Sequence, residues 1–293
     1  HFLNHRKSDM RLSRSEFLAW DRKAITLLGM SGVEKTTLTN KLPKEKWFHY
    51  SGDYRIGTQY LGEPIMDNIK QQAMQVAFLR DMLRSDSIYI ASNITIHNLT
   101  PISTYLGKLG DPNKGGLPID EFKRRQRQHY RAEVAAMGDV RDFLRKSQNL
   151  YGYDYFVNNA GGSLCELNHS ATLEQLAEDT VIVYLRASEE MEDLIIQRQL
   201  DYPKPLYYQE EFLDRNLGEY MQLEKLVSVS DIVPDKFVRW IFPRLVAHRK
   251  PLYQAIADQY GYTVDASDAE QVHDETGFLE LIGASLQAAE AAA

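Results

Sequence analysis

Residues 25–42 read ITLLGMSGVEKTTLTNKL, with Gly29, Lys35 and Thr36 at three of the fixed places of the pattern G-x-x-x-x-G-K-[ST]. An ammonium and a hydroxyl side by side after a glycine-bearing turn is chemistry suited to a polyphosphate. In such a loop the backbone N–H groups of residues 30–36 point inward at the phosphates. The expected binding set is Gly29, Met30, Ser31, Gly32, Val33, Glu34, Lys35, Thr36 and Thr37. Lys35 bridges the terminal phosphates and the Thr36 hydroxyl holds Mg²⁺, so ATP with Mg²⁺ is the expected pair. The other reading is a small-residue turn in an ordinary βα unit. The pattern's context favours the loop, because the glycine follows a β-branched and Leu-rich strand and the lysine opens a helix.

The fourth fixed place carries Glu34 where the pattern has glycine. Glycine there lets the backbone approach the phosphate and take conformations that a side chain resists. A carboxylate also brings like charge towards the ligand. Two unit charges about 4 Å apart repel by roughly 4 kcal/mol at an effective dielectric of ~20, and each ~1.4 kcal/mol is about tenfold in affinity. Glu34 therefore weakens a phosphate site of this kind. A natural degenerate loop, an introduced substitution and a sequence variant are equally compatible with it.

The elements that must position these residues alternate between strand and helix, which implies a mostly parallel sheet with helices on both faces. Strands are expected at 24–28, 47–51, 87–92 (SIYIAS), 154–159, 180–188 and 262–267. Helical patterns cover about 36–42, 67–84, 119–149 with a break near Gly138, 209–228, 235–258 and the C-terminal stretch. Ser188 stands where it can cap a helix whose first turn carries Glu189 and Glu190. Residues 1–20 read as a loosely attached extension, 21–287 as one domain with a helical insertion at about 94–150, and 288–293 as a tail.

The order of features resembles the P-loop kinase group of nucleoside, nucleotide and small-molecule kinases over about residues 22–267. The resemblance is specific at GMSGVEKTT, a Walker A loop, and looser at YLRAS with its Arg-bearing helix and at YTVDAS. The chain also looks like bacterial proteins classed only as P-loop ATPases, a likeness that names no substrate. It implies a three-layer α/β/α P-loop NTPase fold. By that resemblance Asp53, in HYSGDYRIG, stands where an acidic residue contacts or deprotonates an acceptor hydroxyl; a turn former beside Gly52 is the other reading. Tyr54 and Arg55 would lie on the substrate side. Arg198 matches a lid arginine that stabilises the transferred phosphoryl group, or is a surface arginine. Ala266 and Ser267 fall where the adenine ring meets the backbone. The resemblance also implies a carboxylate at the end of the strand 154–159, but Asn158 and Asn159 stand there. The turn AGGS (160–163) follows, either a plain turn or one close to the phosphates. DYPKPLYYQEEF (201–212) fits a lid or an acceptor-pocket wall.

Segment 122–131, FKRRQRQHYR, carries five Lys or Arg. It is either a solvated helix or a patch for a phosphorylated acceptor. His97, His129 and His169 show no paired metal-ligand spacing, and no Ser/His/Asp or Cys/His arrangement can be argued from order. The net charge of −7 over 293 residues argues against wholesale nucleic-acid binding. No apolar run approaches the roughly 18–20 residues needed to cross a bilayer, and nothing at the start reads as a signal peptide. Cys165 is the only cysteine, which excludes an intramolecular disulfide and suits a reducing, cytoplasmic setting. The leading expectation is an ATP-binding ATPase or phosphotransferase acting on an unidentified small-molecule or phosphorylated acceptor. The alternative is a non-catalytic nucleotide-binding or scaffolding protein, favoured by Glu34 and the absent strand-end carboxylate. A sulfotransferase-like enzyme fits Lys35 and Thr36 less well.

Overall fold

The computed structural model describes residues 12–292. The chain forms two compact units, one made of residues 1–52, 137–202 and 242–293, the other of 53–136 and 203–241. In chain order the elements are α1 (Arg14–Ala19), β1 (Ala24–Leu28), α2 (Lys35–Thr39), β2 (Trp47–Ser51) and α3 (Gly52–Arg55). Next come α4 (Gly62–Ala73), α5 (Ala77–Arg84), α6 (Thr100–Leu106), α7 (Ile119–Gly138) and α8 (Val140–Asn149). They continue with β3 (Tyr155–Asn159), α9 (Ser170–Asp179), β4 (Val181–Arg186), α10 (Glu189–Asp201) and α11 (Glu210–Glu224). The chain closes with α12 (Pro234–Tyr260), β5 (Gly261–Asp265), α13 (Ala266–Glu270) and α14 (Glu275–Ala292).

The first unit is built on a five-stranded sheet in the order β2-β3-β1-β4-β5, every pair parallel. All five residues of AITLL in β1 are buried, as are the first five of VIVYLR in β4. A strand buried on both faces is covered on both faces, and this is why these strands read as continuous apolar runs. Helices α2 and α8 pack on β3, α9 on β4 and α14 on β5. The fold class is the expected three-layer α/β one. β1 connects towards β2 on one side and β4 towards β5 on the other. The C-terminal ends of β1 and β4 thus meet at a switch point, where open parallel sheets form their crevices.

Thr26 in β1 faces Asn158 in the register of β3. The Asn158 amide donates to the Thr26 hydroxyl at 3.2 Å, which lies 2.8 Å from the Thr180 hydroxyl, which in turn donates to the Leu176 carbonyl at 2.7 Å. This buried chain fixes the register of β1 against β3 and ties both to the end of α9 that leads into β4, because a slip of one residue would orphan these polar groups.

The second unit carries helices and, among the described residues, no strand. The expected strand at 87–92 is therefore a correction. SIYIAS follows α5 as irregular chain, with Tyr89 89% exposed. β-prone residues form a strand only where a ladder partner takes up their N–H and C=O groups, and this segment pairs with none. The long helical pattern at 119–149 breaks at Gly138 into α7 and α8, as expected. The second unit takes in residues 53–136 and 203–241, while 137–150 of the segment expected as an insertion belong to the first unit.

Of the expected N-terminal extension, residues 1–11 lie outside the described residues. Its described part is helix α1, closed by a capping box between Ser13 and Glu16, packed on α14, with Phe17 fully buried. Lys23 fastens its end: the ammonium donates to the carbonyls of Trp20 (2.7 Å) and Leu18 (3.2 Å) and lies over the Tyr155 and Phe17 rings. Burial pushes its pKa down, against the pull of Asp21 and Glu275. Helix α14 continues through the expected tail to Ala292. No helix among the described residues is long and apolar enough to cross a membrane.

Candidate functional site

The loop at 29–34 leaves β1 at the switch point and enters α2. Gly29 has φ +147°, and a Cβ there would come within 2.9 Å of the Leu185 carbonyl oxygen on β4. Only glycine tolerates both. Met30 and Val33 turn their side chains into the core, while Ser31 and Gly32 are exposed. The Val33 amide donates to Met30 O at 3.4 Å. The amides of Ser31 and Gly32 have no acceptor among the described residues. Two adjacent open N–H groups at a strand-to-helix turn are what an anion-binding loop requires.

Lys35 opens α2 and folds back over the loop, donating to Gly29 O at 2.5 Å and Met30 O at 3.1 Å. Its ammonium thus spans the loop's mouth. Thr36, one position on, is half-buried, and its hydroxyl has no partner among the described residues. Thr37 donates its hydroxyl to Glu34 Oε2 at 2.7 Å.

Glu34 has φ 59° and ψ 30°, the left-handed region. The pattern's glycine place is therefore one whose backbone needs positive φ, and a side chain there costs roughly 1–2 kcal/mol. The exposed carboxylate is tied along α2 by Thr37. Its penalty is thus shared between backbone strain and charge, and the strain is a cause independent of any ligand.

The two asparagines of β3 have different tasks. Asn158 is fully buried and belongs to the register-fixing chain with Thr26. Asn159 ends the strand and donates to the Thr39 hydroxyl at 3.0 Å, while its Oδ1 is buried without a partner among the described residues. Among the described residues no group of three or more His, Cys, Asp or Glu gathers to hold a metal. A Mg²⁺ that keeps most of its waters and takes phosphate oxygens needs few protein ligands. The Thr36 hydroxyl, without a partner among the described residues, is of the chemistry such an ion takes.

Arg198 lies in the last turn of α10, exposed and without an ion pair among the described residues. One turn earlier, Ile195 packs on the loop: a Cβ on Gly32 would meet Ile195 Cγ1 at 3.1 Å. Spacing i, i+3 puts Arg198 on the helix face that Ile195 occupies. Ser188 caps α10 by accepting from the Met191 amide at 3.2 Å, as expected. Arg186 is engaged elsewhere, donating to Asp265 at 2.8 Å. Asp53 lies half-buried in the first turn of α3, directly after β2, and belongs to the second unit. Tyr54 is 38% exposed. Ala266 and Ser267 begin α13 after β5.

Four of the five basic residues in the run on α7 are paired with carboxylates, and only the exposed Arg131 has no partner among the described residues. Arg124 and Arg125 bond Glu121, Arg127 bonds Glu210, and Lys123 bonds Asp214 and Glu210. Segment 201–212 is held to the same helix: Gln126 donates to Leu206 O and accepts from the Tyr208 amide. His129, on one turn with Glu133 at 3.8 Å, stacks on Tyr207. The i, i+4 spacing of His129 and Glu133 was readable in sequence. The buried pair Glu166–Arg249, and Tyr253 on Gly162, join residues some ninety positions apart and were not.

No protein-family model and no curated protein sequence matches the chain. Among solved structures, shikimate kinase from Bacteroides thetaiotaomicron is similar at a TM-score of 0.37 and 14% identity, over 92% of this chain and 97% of that one. The chain's own sheet order and its β1–loop–α2 unit give a three-layer α/β fold with a strand–loop–helix turn at the switch point.

Proposed function

We propose that the chain binds a nucleoside triphosphate through residues 29–37 and acts as a phosphotransferase on a small-molecule or phosphorylated acceptor, or as an ATPase, with turnover curtailed by Glu34. The observation that carries the reading is the loop itself: open Ser31 and Gly32 amides beneath a Lys35 ammonium anchored on Gly29 O and Met30 O. Lys35 exchanges carbonyl partners for the terminal phosphates, and the loop amides orient them. Thr36 would hold Mg²⁺, with Asn159 accepting from a metal-bound water. The ion supplies charge neutralisation when bound. Arg198 meets charge on the transferred group, and Asp53 takes the proton of an acceptor hydroxyl. Catalysis of this kind is positioning and electrostatics, with little covalent work for the protein.

A second reading, a nucleotide-binding module without turnover, draws on Glu34 in the left-handed region and on an amide where a carboxylate would hold metal-bound water. The deciding experiment is calorimetric titration of ATP, GTP and pyrophosphate with Mg²⁺ into this chain and Glu34→Gly. A gain of about tenfold or more for Glu34→Gly is expected. Undetectable binding by both proteins would remove the phosphate-loop reading. In the Glu34→Gly background, Asp53→Asn should leave ATP affinity within about twofold while transfer to an acceptor stops. Unchanged transfer would clear Asp53 of the role, and unchanged basal hydrolysis would favour the ATPase.

A further inference from the structure

The turn after β3 touches the phosphate loop from behind. The Ala160 amide donates to Leu27 O at 3.2 Å, tying the turn to β1. Two residues on, a Cβ on Gly162 would lie 3.1 Å from the Ser31 nitrogen and 3.5 Å from its Cβ. Gly162 thus lies against the loop's first open amide, where a side chain would make Ser31 give by a few tenths of an ångström.

That contact is held from α12. The Tyr253 hydroxyl donates to Gly162 O at 2.5 Å. The Tyr253 ring is fully buried and stacked on Tyr184, with centroids 5.3 Å apart and planes at 10°. Four residues before it, Arg249 donates to Glu166 Oε2 through Nε (2.8 Å) and Nη2 (2.5 Å), and both side chains are buried. Residues at i and i+4 share a helix face, so one face of α12 grips both Gly162 and Glu166. A buried charge pair and a buried hydroxyl are costly unless their geometry is kept. The contact between Gly162 and Ser31 is accordingly set by α12.

We infer that Tyr253 is a positioning residue for the phosphate loop: by holding Gly162 O it sets Gly162 against Ser31, and so the aim of the Ser31 N–H at a phosphate oxygen. The ligand class rests on the function proposed above; the mechanical coupling does not. Tyr253→Phe is the mild test, since it keeps the ring and its stacking and removes one donor, while Gly162→Ala presses on Ser31 directly.

Two readouts separate the ideas. In the otherwise unaltered chain, Tyr253→Phe should speed exchange of the Ala160 amide, which is bonded to Leu27 O, about threefold to tenfold and shift the resonances of the open Ser31 and Gly32 amides, while β5 amides stay unchanged. In the Glu34→Gly background, Tyr253→Phe should weaken pyrophosphate and ATP about threefold to tenfold, and Gly162→Ala about tenfold or more, with adenosine unaffected. Loop amides unmoved by Tyr253→Phe, or equal losses for adenosine and ATP, would overturn the proposal. Loop amides that respond in a Glu34→Gly protein binding neither pyrophosphate nor ATP would uphold the coupling and reject the phosphate-binding reading.

Discussion

Helices α7 and α10 both carry arginines that their sequences cannot rank, and the structure treats them in opposite ways. On α7, Arg125 is buried and engages each nitrogen of its guanidinium: on Glu121 at 2.6 Å, on Tyr105 O at 2.6 Å and on Asn68 at 3.0 Å. Its carbon end also lies 4.7 Å from the Tyr105 ring centroid. Arg124 and Arg127 are paired with carboxylates as well. On α10, Arg198 shows no partner among the described residues and shares a face with a side chain packed on Gly32. A cation matched by the protein's own acceptors is fixed structure. One left in water, on a helix packed against the β1–α2 loop, can bring its charge to a ligand at little desolvation cost. Charge count alone pointed at α7, whereas the accounting of partners points at α10.

The sharpest break between the two would come from Arg198→Met. In a Glu34→Gly background it should lower turnover by about a thousandfold, the scale of a transition-state arginine, with thermal stability unchanged within about 0.5 kcal/mol. Steady-state kinetics and a melting curve decide it; full activity would return Arg198 to the surface. Arg125→Met should do the reverse. Removing a buried guanidinium leaves Tyr105 O and Asn68 without that donor and Glu121 with only its Arg124 bonds, a loss of about 2–4 kcal/mol, while nucleotide affinity stays put. Urea unfolding and calorimetry on one protein test both halves. Weaker nucleotide binding at unchanged stability would restore α7 as a ligand patch. A smaller effect follows from the loop's backbone: Glu34→Gly should raise stability by about 1 kcal/mol net of glycine's extra chain entropy. A lower melting temperature would argue that the Thr37–Glu34 bond outweighs the strain.

What was legible in the sequence was local. AITLL and TVIVYL announce strands because both faces are buried, and Ser188 announces a cap because its hydroxyl reaches only three residues on. The loop pattern carried its own spacing. Two kinds of feature were hidden. SIYIAS has strand chemistry but no ladder partner, and pairing is not encoded in one segment. The grip of α12 on Gly162 and Glu166 depends on which distant residues the fold brings together, so AGGS could be read as a plain turn or as one close to the phosphates, and nothing in it announced the hold. Asn158 misled in a third way: its place at a strand end suggested a metal-site amide, whereas register puts it opposite Thr26 inside the sheet.

The mildest test of the α7 lattice uses pH. Glu121 accepts from Arg124 Nε at 2.8 Å, Arg124 Nη2 at 2.7 Å and Arg125 Nε at 2.6 Å. The Arg124 hydrogen bonds, helped by Arg125 and opposed by partial burial, bring its pKa from 4.5 down to about 2. A folded-state value below the unfolded one means that the unfolded chain binds more protons in between. Stability from this group is then complete above about pH 4.5 and is lost as pH falls towards about 2. The side chain is 31% exposed, and solvent screening reduces the full linkage energy to about 1 kcal/mol. Glu121→Gln should therefore trail the parent by about 1 kcal/mol at pH 7 in urea unfolding, with the gap closing between about pH 4.5 and 2. The difference between the two proteins cancels the other carboxylates that titrate in that window. A gap that stayed constant with pH would mean that Glu121 contributes shape and hydrogen bonds but no charge. Arg124 would then be held by Gln128, and Arg125 by Tyr105 O and Asn68, rather than by the carboxylate between them.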